Sequence, residues 1–148
     1  MVRGCFITGT DTEIGKTTIA AAIVSLLGKT GLRVAGLKPV AAGMSAIDGE
    51  RINEDVHALR AASNVPLGVD EIAPFQFEAA CAPHVAAALE GRSIDRDRIL
   101  ATIQAAAARC DRVVVEGVGG FRVPFDAACD WDSADLARDL DLPVLLVV

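Results

Sequence analysis

The stretch GTDTEIGKTT, Gly9 to Thr18, restricts the fold more than any other part of the chain. Before it stands VRGCFIT (residues 2–8), a short, mostly apolar run with β-branched residues that reads as a buried strand. After it comes KTTIAAAIVSLLGKTG (16–31). Here Ile19, Ile23, Leu26 and Leu27 recur at the spacing of one helix face, and Gly31 supplies a C-terminal stop. RVAGLKPV (33–40) then reads as a second strand with Pro39 at its exit. Strand, glycine loop, helix and strand in that order make a parallel βαβ unit, which commits the chain to the α/β class.

The loop itself has the parts of a phosphate cradle. Backbone N–H groups at a helix start bind phosphate oxygens. Gly15 lets the backbone approach, Lys16 reaches terminal phosphates, and Thr17 offers a hydroxyl to Mg2+. The spacing is unusual: five residues separate Gly9 from Gly15, where the common loop has four. An ordinary strand–turn–helix corner is the plain alternative, but the predicted context is right on both sides.

Further along, INEDVHALRAAS (52–63) reads as a helix with Val56, Leu59 and Ile52 inward, and residues 41–50 read as loop. VPLGVDEIAPFQF (65–77) reads as irregular or extended, PHVAAALEG (83–91) as a short helix, and DRDRILATIQAAAARC (95–110) as a helix with Ile99, Leu100 and Ile103 on one face. RVVVEG (112–117) is a third buried strand, 117–130 a long loop, SADLARDL (133–140) a helix, and LPVLLVV (142–148) a fourth buried strand. Stopping on an apolar strand is unusual for a native terminus, which reads as an incomplete C-terminal end. The 148 residues are enough for one domain with a core, and 52% apolar content argues against disorder. A net charge of −6 and pI near 4.8 disfavour nucleic-acid binding, which needs a basic surface. No run reaches the ~18 apolar residues of a membrane span. Cys5, Cys81, Cys110 and Cys129 form no CxxC pair and read as free buried thiols of a cytoplasmic protein.

Two further stretches carry chemistry. LKPVAAG (37–43) places Lys38 at the exit of the second strand, where a parallel sheet presents its ligand crevice. Only three of the 14 basic residues are lysines, so arginine serves the surface and two lysines stand at strand ends. A strand-end lysine alone is ordinarily a solvated charge; beside a phosphate loop it is a candidate for the transferring oxygen. VVVEGVGG (113–120) carries Glu116 to the end of a buried strand, costly for a carboxylate without a cation beside it. Asp55 starts a helix, where the dipole favours an acid, and Thr17, Asp55 and Glu116 together make an oxygen set suited to Mg2+. His57 and His84 read as surface or packing histidines, and Trp131 as a packing anchor.

Taken in order, GTDTEIGKT, KPVAAG, the NxD of NEDV, PHVAAALEG and VEGVGG resemble the dethiobiotin synthetase family across the whole chain. The five-residue loop spacing is that family's own form. The resemblance implies a P-loop NTPase-like parallel sheet with helices on both faces, in three α/β/α layers. It also implies that residues 1–148 are one domain, the N-terminal part of a longer family domain. The implied reaction is ATP-dependent carboxylation and ring closure of 7,8-diaminopelargonate with CO2, giving dethiobiotin, ADP and phosphate through a carbamate and a carbamic–phosphoric anhydride. Residue by residue, Lys38, Lys16 and Thr12 match catalytic positions, and Thr12, Lys38 and Ala42 match substrate positions. Glu13, Ile14, Gly15, Lys16, Thr17, Thr18, Asp55, Glu116, Gly117, Val118 and Gly119 match nucleotide positions, and Thr17, Asp55 and Glu116 match Mg2+ ligands. The family's partners are small molecules and a second copy in a homodimer, with neither nucleic acid nor membrane. Three departures stand out: Ala42 and Ala82 where the family has Ser, and Val118 where it has Ala.

Competing readings remain. Partition-type ATPases carry a Lys early in the loop where this chain has Asp11, of opposite charge. A cobalamin-type amide-forming ligase shares loop and fold but not the order of the later motifs. A truncated nucleotide-binding domain without turnover is the third.

Overall fold

The computed structural model describes residues 1–148. The elements run β1 (Gly4–Gly9), α1 (Lys16–Lys29), β2 (Val34–Leu37), β3 (Val40–Ala42), β4 (Ser45–Ile47), β5 (Glu50–Ile52), α2 (Glu54–Ala62), α3 (Val69–Ile72), β6 (Phe75–Phe77), α4 (Pro83–Leu89), α5 (Arg96–Ala108), β7 (Arg112–Glu116), α6 (Ser133–Asp139) and β8 (Val144–Val147). The four apolar runs of the sequence pair in one parallel sheet, ordered β2-β7-β1-β8. The chain leaves β1 toward β2 on one side, and leaves β7 toward β8 on the other. Connections that diverge in this way open a crevice at the carboxyl ends of the strands.

Side chains alternate across the sheet, and each face has its own cover. Ile7, Val34 and Val114 join Ala20 and Val24 of α1 and Leu59 of α2 in one apolar cluster. Phe6, Ala35, Leu37, Val113 and Val115 face the other way, with Ile99, Ile103 and Ala106 of α5 and Leu136 and Ala137 of α6. Continuous burial on both faces explains why these strands read as unbroken apolar runs. The result is the three-layer α/β/α arrangement, with α1 and α2 on one face and α5 and α6 on the other.

Three local expectations are corrected. In α1 the buried residues are Lys16, Ala20 and Val24, while Ile19 and Leu26 point to solvent, Leu26 at 61% exposure. The phosphate loop sets the helix's rotation. Once Lys16 faces the strand ends, positions i+4 and i+8 follow it inward, whatever their size. Residues 41–50 are not wholly loop: β4 and β5 form an antiparallel hairpin, turned by Asp48 (φ 50°) and Gly49 (φ 81°). Two consecutive positive φ values give the turn whose twist suits a two-residue hairpin, and Asp-Gly supplies them at low cost. Within 65–77, Val69–Ile72 is a turn of helix and Phe75–Phe77 pairs with β3.

β8 was expected to be buried, yet it lies at the sheet edge, and Leu146 is 57% exposed. Pairing with β1 satisfies one backbone edge of β8; Val147 packs partly against the cluster of Ile7, Ala20 and Val24, while Val144, Leu145 and Leu146 stay exposed. All four cysteines are free, but Cys81 and Cys129 are exposed because both sit in loops. No helix is long and apolar enough to cross a membrane. Trp131 does anchor packing: its ring lies 4.9 Å from Phe125, and its indole N–H donates to Asp139 at 3.0 Å.

Asp132 ties the segment after β7 to α6. Its Oδ1 caps the helix by accepting from the N–H of Asp135 at 3.0 Å, and Asp135 returns a bond to the N–H of Asp132. Arg122 donates to Oδ2 at 2.9 Å. Desolvation raises the Asp132 carboxyl's affinity for protons, but the Asp135 N–H and the Arg122 guanidinium outweigh it and hold the group below its ordinary value of 3.8. Asp132→Ala is expected to lower stability by about 1–2 kcal/mol in urea melts at neutral pH. Because the folded-state value is depressed, this contribution is present above about pH 4 and is lost as pH falls through the depressed value. The gap between native protein and variant therefore closes in acid; a gap that persists at pH 2 would locate its cause elsewhere.

Candidate active site

The cleft lies where β1, β2 and β7 end. Parallel strands bring their carboxyl ends to one side, so three residues far apart in sequence meet there. Glu116 closes β7 in register with Ile7 of β1. Lys38 follows β2, its backbone N–H donating to Ile72 at 3.0 Å. The loop 9–15 leaves β1 and enters α1. The cleft has a volume of about 910 Å3.

The loop turns through two left-handed residues, Glu13 (φ 57°) and Gly15 (φ 105°). A Cβ on Gly15 would meet nothing within 4 Å, so backbone conformation, and not space, demands glycine here. Gly15 leads directly into α1 with no side-chain cap. The first N–H groups of this 14-residue helix are thus left to an anion. Lys16 is folded over the loop, its Nζ donating to the carbonyl of Asp11 at 2.8 Å. Burial lowers its pKa and the Lys38 charge adds to this, partly countered by Glu116, Asp55 and Asp11.

At the floor sits a buried charge cluster. Lys38 Nζ lies 3.0 Å from Glu116 Oε1, 3.0 Å from Asp55 Oδ2 and 2.8 Å from the carbonyl of Gly117. Lys38 is 3% exposed and Glu116 1%. The Thr17 hydroxyl donates to the same Glu116 Oε1 at 2.7 Å. Burial pushes the Lys38 ammonium down, but the charges and hydrogen bonds of Glu116 and Asp55 prevail and raise it above 10.5. Desolvation likewise raises Asp55, and Lys38 with Thr17 reverses this to a net lowering. Lys38 is therefore a fixed cation and not a general base at neutral pH.

The residues singled out in the sequence are distributed as follows. Thr12, Glu13, Gly15, Lys16, Thr17, Thr18, Lys38, Ala42, Asp55, Glu116, Val118 and Gly119 all line the cleft. Ile14 and Gly117 do not: a Cβ on Gly9 would lie 2.7 Å from Ile14, and Gly117 backs onto the Phe6 ring while its carbonyl holds Lys38. His57 and His84 stand outside the lining.

Asn53, quoted in the sequence only as part of the NxD motif and given no role there, organises one wall. Its Oδ1 accepts from the N–H of Asp55 at 2.9 Å, capping α2, and its Nδ2 donates to Gly43 at 2.7 Å. The first bond orients Asp55 toward Lys38. An Asn two residues before a first-turn acid is an N-cap signal that the sequence did contain. Met44, Ser45 and the segment Ala80–Pro83 also line the cleft; no motif marked them individually as lining, because β3, β4 and the turn before α4 meet only in the fold.

The cluster offers Mg2+ two carboxylates and a hydroxyl, all oxygen. No three His, Cys, Asp or Glu side chains gather as a complete protein cage. One atom supports the fit directly: Glu116 Oε2 is buried and has no hydrogen-bond partner. A buried carboxylate oxygen left alone is costly, and a hard cation satisfies it.

Lys38→Ala is expected to destabilise the protein by roughly 3–5 kcal/mol at pH 7, because Glu116 is left buried without its cation. Lys38→Ala combined with Glu116→Gln removes both charges and is expected to recover much of that loss. Urea midpoints of the three proteins check this; a double variant no more stable than the single one would contradict the pairing.

Comparison with known proteins agrees with this architecture. Residues 3–148 match the family model described as an AAA domain. The chain is 51% identical over 146 residues to the ATP-dependent dethiobiotin synthetase BioD of Aromatoleum aromaticum (strain DSM 19018 / LMG 30748 / EbN1), covering 99% of this chain and 64% of that protein. It is 50% identical over 144 residues to the protein of the same name from Ralstonia nicotianae (strain ATCC BAA-1114 / GMI1000), covering 97% of this chain and 62% of that one. The chain thus spans somewhat less than two thirds of the length of the curated relatives it matches. With a glycine loop between β1 and α1, a parallel sheet covered on both faces and a family match across nearly its full length, the chain belongs to the AAA domain family of P-loop proteins.

Proposed function

We propose that this chain, like the ATP-dependent dethiobiotin synthetases it matches, makes dethiobiotin, by the ring-closing carboxylation that the family resemblance implies: 7,8-diaminopelargonate, CO2 and ATP give dethiobiotin, ADP and phosphate in biotin biosynthesis. The observation that carries the reading is the pairing of half-identical dethiobiotin synthetases with a cleft in which Lys16, Lys38 and Glu116 converge.

One amine of the diamine adds to CO2 and loses a proton, forming a carbamate. A carbamate oxygen attacks the γ-phosphorus of ATP, the bond to the β-phosphate oxygen breaks, and ADP leaves. The second amine attacks the carbon of the mixed anhydride, phosphate leaves with the electron pair, the attacking nitrogen gives up a proton to the departing phosphate, and the cyclic urea is complete. No side chain of the protein has to act as nucleophile. Such chemistry asks for positioning and for charge opposite the transferring oxygens. The N–H groups at the start of α1 cradle phosphate. Lys16, released from Asp11, turns to the terminal phosphate, and Lys38 faces carbamate and γ-phosphoryl oxygens together. Thr12 and Ala42 border the substrate, with Ala42 offering only backbone where a hydroxyl is otherwise found. Thr17, Asp55 and Glu116 would hold Mg2+, which supplies neutralisation of phosphate charge. Homodimer assembly and a cytoplasmic location belong to the same reading and rest on the family resemblance.

The test is ADP release with Mg-ATP, bicarbonate and 7,8-diaminopelargonate, omitting each in turn. Release is expected to need all of them. Release without the diamine would point to a different ATPase, and no release to a binding domain. Lys16→Ala and Lys38→Ala, each shown to be folded by circular dichroism, are expected to lower turnover by about 100-fold or more. Near-normal turnover in either would remove that lysine from the reaction. Glu116→Gln is expected to raise the Mg2+ concentration giving half-maximal rate; an unchanged titration would remove it from the ligand set.

A further inference from the structure

We propose that the Lys38 ammonium and a divalent cation compete for the same carboxylates, so that holding the cation releases Lys38 from Glu116 into the cleft. The inference rests on the reading above that Thr17, Asp55 and Glu116 are the cation's ligands, and it adds how the lysine is delivered.

Lys38 Nζ sits 3.0 Å from an oxygen of each carboxylate, and Thr17 shares Glu116 Oε1 with it at 2.7 Å. The three oxygen groups suited to the cation are thus the groups that surround the ammonium. Two carboxylates matched by one ammonium leave room for one more positive charge, not two. Lys16 already adds positive charge nearby, and its field is felt at Lys38's neighbour Asp55. A divalent cation at these oxygens and an ammonium on the same atoms repel strongly at such low exposure. The unpartnered Glu116 Oε2 gives the cation a first foothold without Lys38 having to leave beforehand.

The release has a path. The Lys38 backbone is tied by its N–H to Ile72, so the side chain moves alone. Its four-carbon stem carries a point charge that makes no planar fork and can reorient freely. Lys38 and Asp55 both line the cleft, and Asp55's side chain is 38% exposed, so the cluster is open on that side. Lys38 would then meet the transferring oxygens only in the loaded protein, and stay neutralised by Glu116 otherwise.

Mn2+ binding to the 148-residue chain, followed by electron paramagnetic resonance without nucleotide, tests this. Lys38→Met is expected to bind Mn2+ at least about tenfold more tightly than the native chain, since a cation within about 4–6 Å of a carboxylate changes its affinity for a competing positive charge by about one to three powers of ten. Lys38→Arg keeps the charge and is expected to stay near native affinity, and Glu116→Gln is expected to abolish the site in either background. Equal, Glu116-dependent affinities in native and Lys38→Met would overturn the competition while leaving the cation site intact. Binding that ignores Glu116, or no binding in either protein, would overturn the cation site itself and the competition with it. Should Lys38→Met not fold, competitive acetylation of Lys38 in the native chain decides. A several-fold rise in its labelling rate on adding Mn2+ supports release, and an unchanged rate overturns it.

Discussion

A buried ammonium without a counter-charge is one of the most costly things a small protein can contain, and this structure is arranged around avoiding it. Lys38 is held by Glu116 and Asp55. Those partners come from β7, which pairs with β2 in the sheet, and from α2, which packs directly on β2. The arrangement stabilises the ion pair, and the ion pair in turn requires that β7 lie beside β2. The other ion pairs are made by arginine, and several join exposed partners such as Arg33 with Asp111 and Arg51 with Glu78, where each contributes little. Two of the three lysines stand in the cleft, and the ion pairs outside it are made by arginine. Arg92 over Phe77 and Arg96 near Trp131 show the same division, with guanidinium groups lying on aromatic faces.

The phosphate loop exerts a second, more local control. Because Lys16 is the first residue of α1 and must face the strand ends, the helix has no freedom to choose its apolar face. Small Ala20 and Val24 come inward and let α1 lie close to the sheet, while Ile19 and Leu26 remain outside. A functional requirement at one end of a helix thus overrides hydrophobic periodicity along it. Of the stripe that periodicity picks out, Ile23 and Leu27 pack partly against the core, while Ile19 and Leu26 face solvent.

The rest of the site was legible to differing degrees, each for a physical reason. Strand ends after apolar runs are easy to read, and in a parallel sheet all point the same way, so Lys38 and Glu116 were visible as cleft residues before any fold was known. Asp55 was readable as a helix-start acid, but its approach to Lys38 depends on Asn53 capping α2 while bonding the Gly43 carbonyl, a contact between separate elements. The β4–β5 hairpin escaped notice although Asp48-Gly49 is a hairpin turn in itself. Strands of three residues hold too little alternation to register.

By itself, the sequence determined the class of fold, the glycine loop between β1 and α1, and the strand-end positions of Lys38 and Glu116. These follow from local rules: glycine where φ must be positive, apolar runs where both faces are buried, a carboxylate or ammonium where a strand ends. Tertiary structure alone decided which strand lies beside which, which face α1 buries, and that Lys38 is matched by Glu116 and Asp55 at once. Each of these depends on contacts between residues distant in the chain. Their energies come from burial and charge pairing that no local stretch possesses before the sheet has closed around them.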